Sequence, residues 1–333
     1  MTAIKIALIG AGNVATHLGS KLAEANFPIL QVFSRTEESA RSLTDRLNKI
    51  YAKVACRSSK ESATQTDLEV KSARPTEAPK DVAQTASQYT LKGLKGKNDG
   101  LKSVQKPELD NFNVFNSTWT NSIKEITPEA DLYLVMLKDA VLDDFLPSLV
   151  KRNPNALFVH TAGSVPMNIW EGLTQRYGVL YPMQTFSKAR EVDFEQVHFF
   201  VEANSEKDLC LLKEIAGHIS SKVFEASSEQ RKYLHLSAVF ACNFTNHMYA
   251  ICDKLLSQHG LPFSSMFPLI DETARKVHYM NPVDGQTGPA QRNDTNVMQR
   301  QEQLLQDDPK VAELYQLISE HIHTYEVYRQ KEK

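Results

Sequence analysis

The stretch Ile4-Lys-Ile-Ala-Leu-Ile-Gly-Ala-Gly-Asn-Val-Ala15, at the very start of the chain, decides the fold. Ile4 to Ile9 is an apolar run of the kind buried on both faces of a parallel sheet. Gly10, Gly12 and Ala15 then spell G-x-G-x-x-A. In such a motif the first glycine permits a tight turn and the second lets a pyrophosphate approach the backbone. The small third residue keeps helix and strand close. From Asn13 to Ala25 the apolar residues Val14, Leu18 and Leu22 fall at helical spacing. The phosphates of a dinucleotide are therefore expected at the amino end of this helix, on Asn13, Val14 and Ala15, where free N–H groups and the dipole favour negative charge.

Working outward, Pro28 to Phe33 reads as a second apolar strand and Glu37 to Asn48 as a second helix. Strand, helix, strand, helix in this order predicts an α/β domain with a parallel, Rossmann-type sheet. The end of the second strand distinguishes the dinucleotides. An NAD site usually has an acidic residue there for the ribose 2′-hydroxyl. Here Ser34-Arg35-Thr36 stands instead. A guanidinium flanked by hydroxyls suits a 2′-phosphate, so the expected cofactor is NADP(H).

From about 51 to 110 the chain is rich in Lys, Ser, Thr, Gln and Glu and shows no sustained periodicity. This segment is expected to be a disordered insertion on the surface, between a helix and the next strand. Regular patterns return near Phe112. Strands are expected at Asp131–Leu137, Ala156–His160, Gly178–Tyr181, His198–Glu202 and Lys222–Glu225, with helices at Ala140–Val150, Met167–Arg176 and Ser205–Ser220. Beyond Ser228 only helical patterns are found. The sequence thus predicts a nucleotide-binding domain over 1–226 and an all-helical domain over 227–333 that lines the substrate side.

Lys138-Asp139 follows the strand at Asp131–Leu137, and His160-Thr-Ala-Gly-Ser164 begins at the end of the strand at Ala156–His160. Both fall at strand carboxyl ends, where the nicotinamide half of a cofactor lies. Lys138, Ala162 and Gly163 are assigned to the cofactor. His160 is a candidate substrate or nicotinamide contact, with a purely structural histidine as the alternative. In the helix from Ser228, Lys232, His235, Asn243 and Asn246 fall within an arc of roughly 80° at 100° per residue. Lys232, His235 and Asn243 form the candidate catalytic set, with Lys232 or His235 supplying the proton that accompanies hydride transfer. A satisfied polar network or a dimer contact is the alternative. In Gln286-Thr-Gly-Pro-Ala-Gln-Arg-Asn-Asp294, Arg292 is placed to hold a substrate carboxylate bidentately. Its rival is a salt bridge to Asp294.

Composition narrows the function. The 333 residues are 41% hydrophobic and 23% charged, with a net charge of -2, which argues against a nucleic-acid partner. Four cysteines show neither a disulfide framework nor metal spacing, so no metal is expected and a cytoplasmic location is. No apolar run approaches the roughly 18 residues of a membrane span, and the opening residues lack the basic start and cleavage site of a signal peptide.

Taken together, the glycine motif, Ser34-Arg-Thr, His160-Thr-Ala-Gly-Ser, Tyr181-Pro-Met-Gln-Thr-Phe, His235 with Asn243, and Thr287-Gly-Pro-Ala-Gln-Arg resemble one group of proteins. These are Rossmann-like NADP oxidoreductases with a helical C-terminal domain of unknown function, similar to pyrroline-5-carboxylate reductases and deazaflavin-dependent NADP reductases. The resemblance implies that Pro182, Gln184, Thr185 and Phe186 border the cleft and that His235, Asn243, Thr287 and Arg292 line its substrate side, with Gln184 and Thr287 binding substrate. It also implies a homodimer formed through the helical domain. The group often has glycine where Asn293 stands. The expected function is NADPH-dependent reduction of a C=N or C=O bond in a small, carboxylate-bearing substrate. A deazaflavin as hydride partner and a non-catalytic NADP sensor or scaffold are the alternatives.

Overall fold

The computed structural model describes residues 4–66 and 115–332. Strand β1 (Ile6–Ile9) has four apolar side chains and all four are buried, because layers cover the sheet on both sides. Helix α1 (Asn13–Glu24) leads to β2 (Ile29–Phe33), and α2 (Glu37–Thr66) follows. The next strands are β3 (Thr118–Thr120), β4 (Leu132–Val135) and, after α3 (Leu142–Leu149), β5 (Leu157–His160). Then come β6 (Tyr177–Met183), β7 (His198–Ala203), α4 (Glu206–Gly217) and β8 (Val223–Glu225). The strand order is β3-β2-β1-β4-β5-β6-β7-β8, and every pairing is parallel except β6 with β7. The chain reverses direction in the sheet between β1 and β4, the crevice where open α/β sheets bind ligands.

Alternation along β1 divides the core. Ile6 and Leu8 pack with Leu18, Leu22, Leu43 and Leu47 of α1 and α2. Ala7 and Ile9 face the other side with Tyr133, Leu146, Phe158 and Trp170. At about 1.5–3 kcal/mol per buried large apolar side chain, this two-sided burial fixes β1 at the centre and so fixes where Gly10 emerges.

Two expectations are corrected and one strand is added. Residues 51–66, read as part of the insertion, continue α2 as helix. Tyr51 anchors this extension, donating its hydroxyl to the Phe27 carbonyl at 2.6 Å and accepting the Ile29 N–H at 2.9 Å. The rest of the expected insertion, up to 110, lies outside the described residues apart from its helical start. Met167–Arg176 is not a helix: one 3-10 turn, Met167–Trp170, buries Trp170, and Gly172 at φ 76° ends any continuation. Finally, β3 is a short polar strand, Thr-Trp-Thr, held to β2. Nothing in its composition announces it.

Contacts divide the chain into Met1–Val239 and Phe240–Lys333. Helix α5 (Ser228–Ala238), opened by a reciprocal capping box between Ser227 and Gln230, belongs with the first unit. A π-helical stretch, Val239–Phe244, follows it. The second unit holds α6 (Thr245–Gln258), α7 (Phe267–Lys276), α8 (Thr295–Gln303) and α9 (Pro309–Glu332). Within it Lys254 pairs with Asp308 at 2.6 Å, and the Tyr315 hydroxyl donates to Gln301 at 2.6 Å. Asn293, where the related group often has glycine, sits at φ 55°. Asparagine is among the side chains that tolerate this left-handed region, so the substitution keeps the turn.

Candidate functional site

The glycine turn is built for two different reasons. Gly10 has φ 124°, and a Cβ there would lie 2.4 Å from the Met136 carbonyl oxygen just beyond β4. It is glycine because the strand ends touch. Gly12 is the N-cap of α1, and a Cβ there would meet nothing within 4 Å. No side chain caps the helix and its first turn has no acidic residue. Free N–H groups and the positive end of the dipole therefore face open space, which fits a pyrophosphate. At the end of β2, Ser34 is half-buried, and Arg35 and Thr36 are exposed. Arg35 makes no ion pair among the described residues. Arg41, one turn into α2, is already committed to Glu37 at 2.9 Å and lies over the Trp119 ring.

The carboxyl ends of β4 and β5 are tied together. Ser164 donates its hydroxyl to Asp139, and Lys138 beside it is exposed. His160 does not reach this surface. It is 1% exposed, lies against Trp170, and accepts the Ala162 N–H on Nδ1 at 3.2 Å. Burial, assisted by the Arg231 charge, lowers its pKa to about 3. It is therefore a neutral ring that shapes the Thr161–Gly163 turn from inside.

His235 does reach the turn. Its Nδ1 is 3.3 Å from the Tyr181 hydroxyl, and both pack on Gly163. A Cβ on Gly163 would come within 2.7 Å of His235 Nδ1 and 2.8 Å of Tyr181 Cζ. One turn earlier on the same helix, Arg231 is 1% exposed and donates to Glu202 of β7 and to the Val165 carbonyl, each at 2.6 Å. Glu202 also accepts the Ser228 N–H and hydroxyl, and Ser228 Oγ accepts the Met167 N–H. This buried network clamps the start of α5 to β7 and to the loop after β5. Lys232 points elsewhere: it is half exposed and pairs with Glu229. Gln184 is exposed and accepts the Thr185 N–H on its own loop.

Residues 5–94 match the family model described as NADP oxidoreductase, coenzyme F420-dependent, and residues 197–322 match a domain of unknown function (DUF2520). A solved structure from Bacteroides fragilis, provisionally described as an NADP oxidoreductase, is 42% identical, covering 96% of this chain and 98% of its own, with a TM-score of 0.74. The chain belongs to this family of NADP oxidoreductases. Like its relative, it is thus an oxidoreductase with a pyridine-nucleotide site in its N-terminal domain. Two more distant structures share the fold of this oxidoreductase. A Thermotoga maritima protein is 19% identical over 98% of this chain and 99% of its own, TM-score 0.57. An imine reductase variant from Myxococcus stipitatus, solved with NAD+, is 11% identical over 96% and 94%, TM-score 0.52. No curated protein matches the chain.

In the second unit of the oxidoreductase, Asn243, Thr287 and Arg292 are all exposed. Arg292 makes no ion pair among the described residues. Its expected rival partner, Asp294, instead caps α8 by accepting the Val297 N–H at 3.2 Å. The polar stripe is corrected in one respect. Arithmetic at 100° per residue does not run through Val239–Phe244, because π-helical bonding (i to i+5) turns less per residue. Lys232 and His235 precede this stretch and Asn243 lies within it. Among the described residues there is no cluster able to hold a metal and no helix long and apolar enough to cross a membrane.

Tyr181 and Arg231 escaped the sequence reading. Tyr181 was legible as a polar residue closing an apolar strand and as the first residue of the Tyr181-Pro-Met-Gln-Thr-Phe motif, but neither gave it a role. Arg231 had none, since a buried arginine looks like any charged residue in a capped helix.

Proposed function

We propose that this oxidoreductase is an NADPH-dependent reductase of C=N or C=O bonds in small, carboxylate-bearing substrates. The observation that supports it most is the convergence of His235, Tyr181 and Gly163 at the carboxyl end of β5, beside the strand ends that bear the open glycine turn. Bound NADPH supplies the hydride. Gly12 and the head of α1 hold the pyrophosphate, Arg35 with Ser34 and Thr36 takes the 2′-phosphate, and Lys138, Ala162 and Gly163 border the nicotinamide half. His235 delivers the proton that completes the reduced N–H or O–H bond. Gln184 contributes a polar contact to the substrate. Within the second unit, Arg292 and Thr287 are offered for a carboxylate and Asn243 for a polar contact.

The second unit supports a homodimer. Among the described residues, Leu305 is the only large hydrophobic of this unit that is buried, while Leu304 is 81%, Leu317 64% and Leu269 62% exposed. So little burial does not offset the entropy of ordering four helices. A second copy is the proposed cover, and sedimentation velocity at micromolar concentration should give twice the chain mass.

Thermal unfolding with saturating NADPH or NADH tests the cofactor. At a hundredfold excess over Kd a ligand adds about 2.7 kcal/mol, a shift of several degrees. A shift with NADPH and little with NADH supports the reading and opens an NADPH-coupled screen of imino and keto acids. The reverse preference overturns the cofactor assignment. Turnover with a reduced deazaflavin and none with these acids overturns the substrate class.

A further inference from the structure

The contact between Tyr181 and His235 is made by three separate pieces of chain, and each is fixed independently. Tyr181 is 8% exposed, inside a strand bonded on both sides, to β5 and β7. His235 stands on α5, four residues after the buried Arg231 and therefore on the same face of the helix. Arg231 draws that face onto the Val165 carbonyl, two residues past Gly163. Gly163 leaves the space into which both rings fit, and any side chain there would overlap both. The approach is thus imposed by the fold rather than left to two mobile side chains.

A neutral imidazole has one donor and one acceptor nitrogen, and its partner decides which is which. A phenol hydroxyl 3.3 Å from Nδ1 can donate to it. When it does, the ring proton resides on Nε2. Nε2–H is then the group His235 presents away from Tyr181, and Nε2 is half of a donor pair whose orientation is already set.

We infer that Tyr181 is a positioning residue that fixes the tautomer of His235, Oη donating to Nδ1, so that Nε2–H is the proton donor to the substrate. This deepens the reductase reading above and rests on it for its catalytic consequence. In the reductive half of the turnover, the hydride adds to the substrate carbon and the C=N or C=O π pair moves to the heteroatom. The Nε2 proton goes to that atom, leaving the ring an imidazolate that Tyr181 stabilises by still donating to Nδ1, and the hydride is balanced by oxidation of bound NADPH to NADP+. Solvent then reprotonates Nε2, and Tyr181 keeps its own proton throughout. Gly163 is part of the same device, because its missing side chain sets the distance.

The test uses full-length protein labelled with 15N at histidine. Long-range 1H–15N correlation spectra assign His235 by comparison with His235→Gln, and they show which ring nitrogen is protonated. In the wild type Nδ1 should carry the unprotonated signature and Nε2 the protonated one. Tyr181→Phe, which keeps the ring and removes only the hydroxyl, should leave the fold intact by circular dichroism and give a mixture of tautomers. The same variant should lower kcat about tenfold with KM within twofold on whichever substrate the screen yields. An Nδ1-protonated wild type, or a Tyr181→Phe spectrum identical to it, overturns the inference whether or not any substrate is found. The expected spectra without turnover on any imino or keto acid would instead count against the reductase reading and leave the tautomer assignment standing. Gly163→Ala should separate the two rings and reproduce the tautomer mixture, and failure to perturb the His235 signals would also overturn the inference.

Discussion

Asn13, the first residue of α1, donates Nδ2 to the carbonyl oxygen of Phe186, 173 residues further along the chain, at 2.8 Å. One turn on, His17 Nε2 donates to the next carbonyl, that of Ser187, also at 2.8 Å, and its ring packs against Phe186. A single face of the helix thus ties down the loop after β6 beside the proposed phosphate site. Asn13→Ala removes one of the two ties. At about 1 kcal/mol for a hydrogen bond, NADPH affinity should fall roughly fivefold. Trypsin should cut at Lys188 or Arg190 several times faster than in the wild type. Cleavage rates that match would show that the loop is held by other contacts.

The two glycines of the turn should fail in different ways. Gly10→Ala puts a methyl 2.4 Å from the Met136 carbonyl and forces an L residue to φ 124°. Strain of this kind costs about 1–3 kcal/mol before the overlap is counted, so soluble yield or the melting temperature should drop sharply. Gly12→Ala meets no protein atom. It should melt within a few degrees of the wild type, reflecting about 1 kcal/mol at an N-cap, yet lose most NADPH binding. Equal melting temperatures for the two variants would contradict the division of labour.

Arg35 is exposed, and no ion pair among the described residues competes for it. Arg35→Asp replaces a 2′-phosphate donor with a repelling carboxylate. Hydrogen bonds to charged groups contribute about 1.5–3 kcal/mol, which converts to roughly ten- to a hundredfold in Kd. Titration by calorimetry should show NADPH weakened by that factor and NADH changed by less than threefold. Similar losses for both nucleotides would place the 2′-phosphate elsewhere.

The order in which these features could be read from the sequence follows from their physics. The strand Ile6–Ile9, the glycine turn and the helix after it are local. Their pattern is set over a dozen consecutive residues, and the structure keeps all of them, although Gly10 is also required by the distant Met136 carbonyl. Arg231 with Glu202, Tyr181 with His235, and Asn13 with Phe186 are pairs between distant segments, and a single sequence carries no trace of such pairing. The helical extension of α2 was missed because lysine, serine and glutamate are as common in exposed helices as in disordered chain. Only Tyr51, bonded to Phe27 and Ile29, distinguishes it. The π-helical stretch at Val239–Phe244 likewise has no signature in a periodicity that assumes one residue every 100°.

His160 should make the protein acid-sensitive. Its folded pKa of about 3 is below the ordinary 6.5, chiefly because of burial and then because of Arg231. The unfolded chain therefore binds a proton that the folded one refuses. The sign follows from linkage: the stability is fully present above about pH 6.5 and is lost as pH falls from there toward 3, by about 1.4 kcal/mol per unit. Asparagine can still accept the Ala162 N–H through its side-chain oxygen, but it does not titrate. His160→Asn should cost about 2 kcal/mol at pH 7.5, from lost packing on Trp170. Between pH 6.5 and 4.5 it should lose less further stability than the wild type, so that the two unfolding curves converge. Melting temperatures measured every half unit across that range decide the matter. If the wild-type and variant curves stay parallel, His160 is protonated in the folded state and its buried, neutral role is wrong.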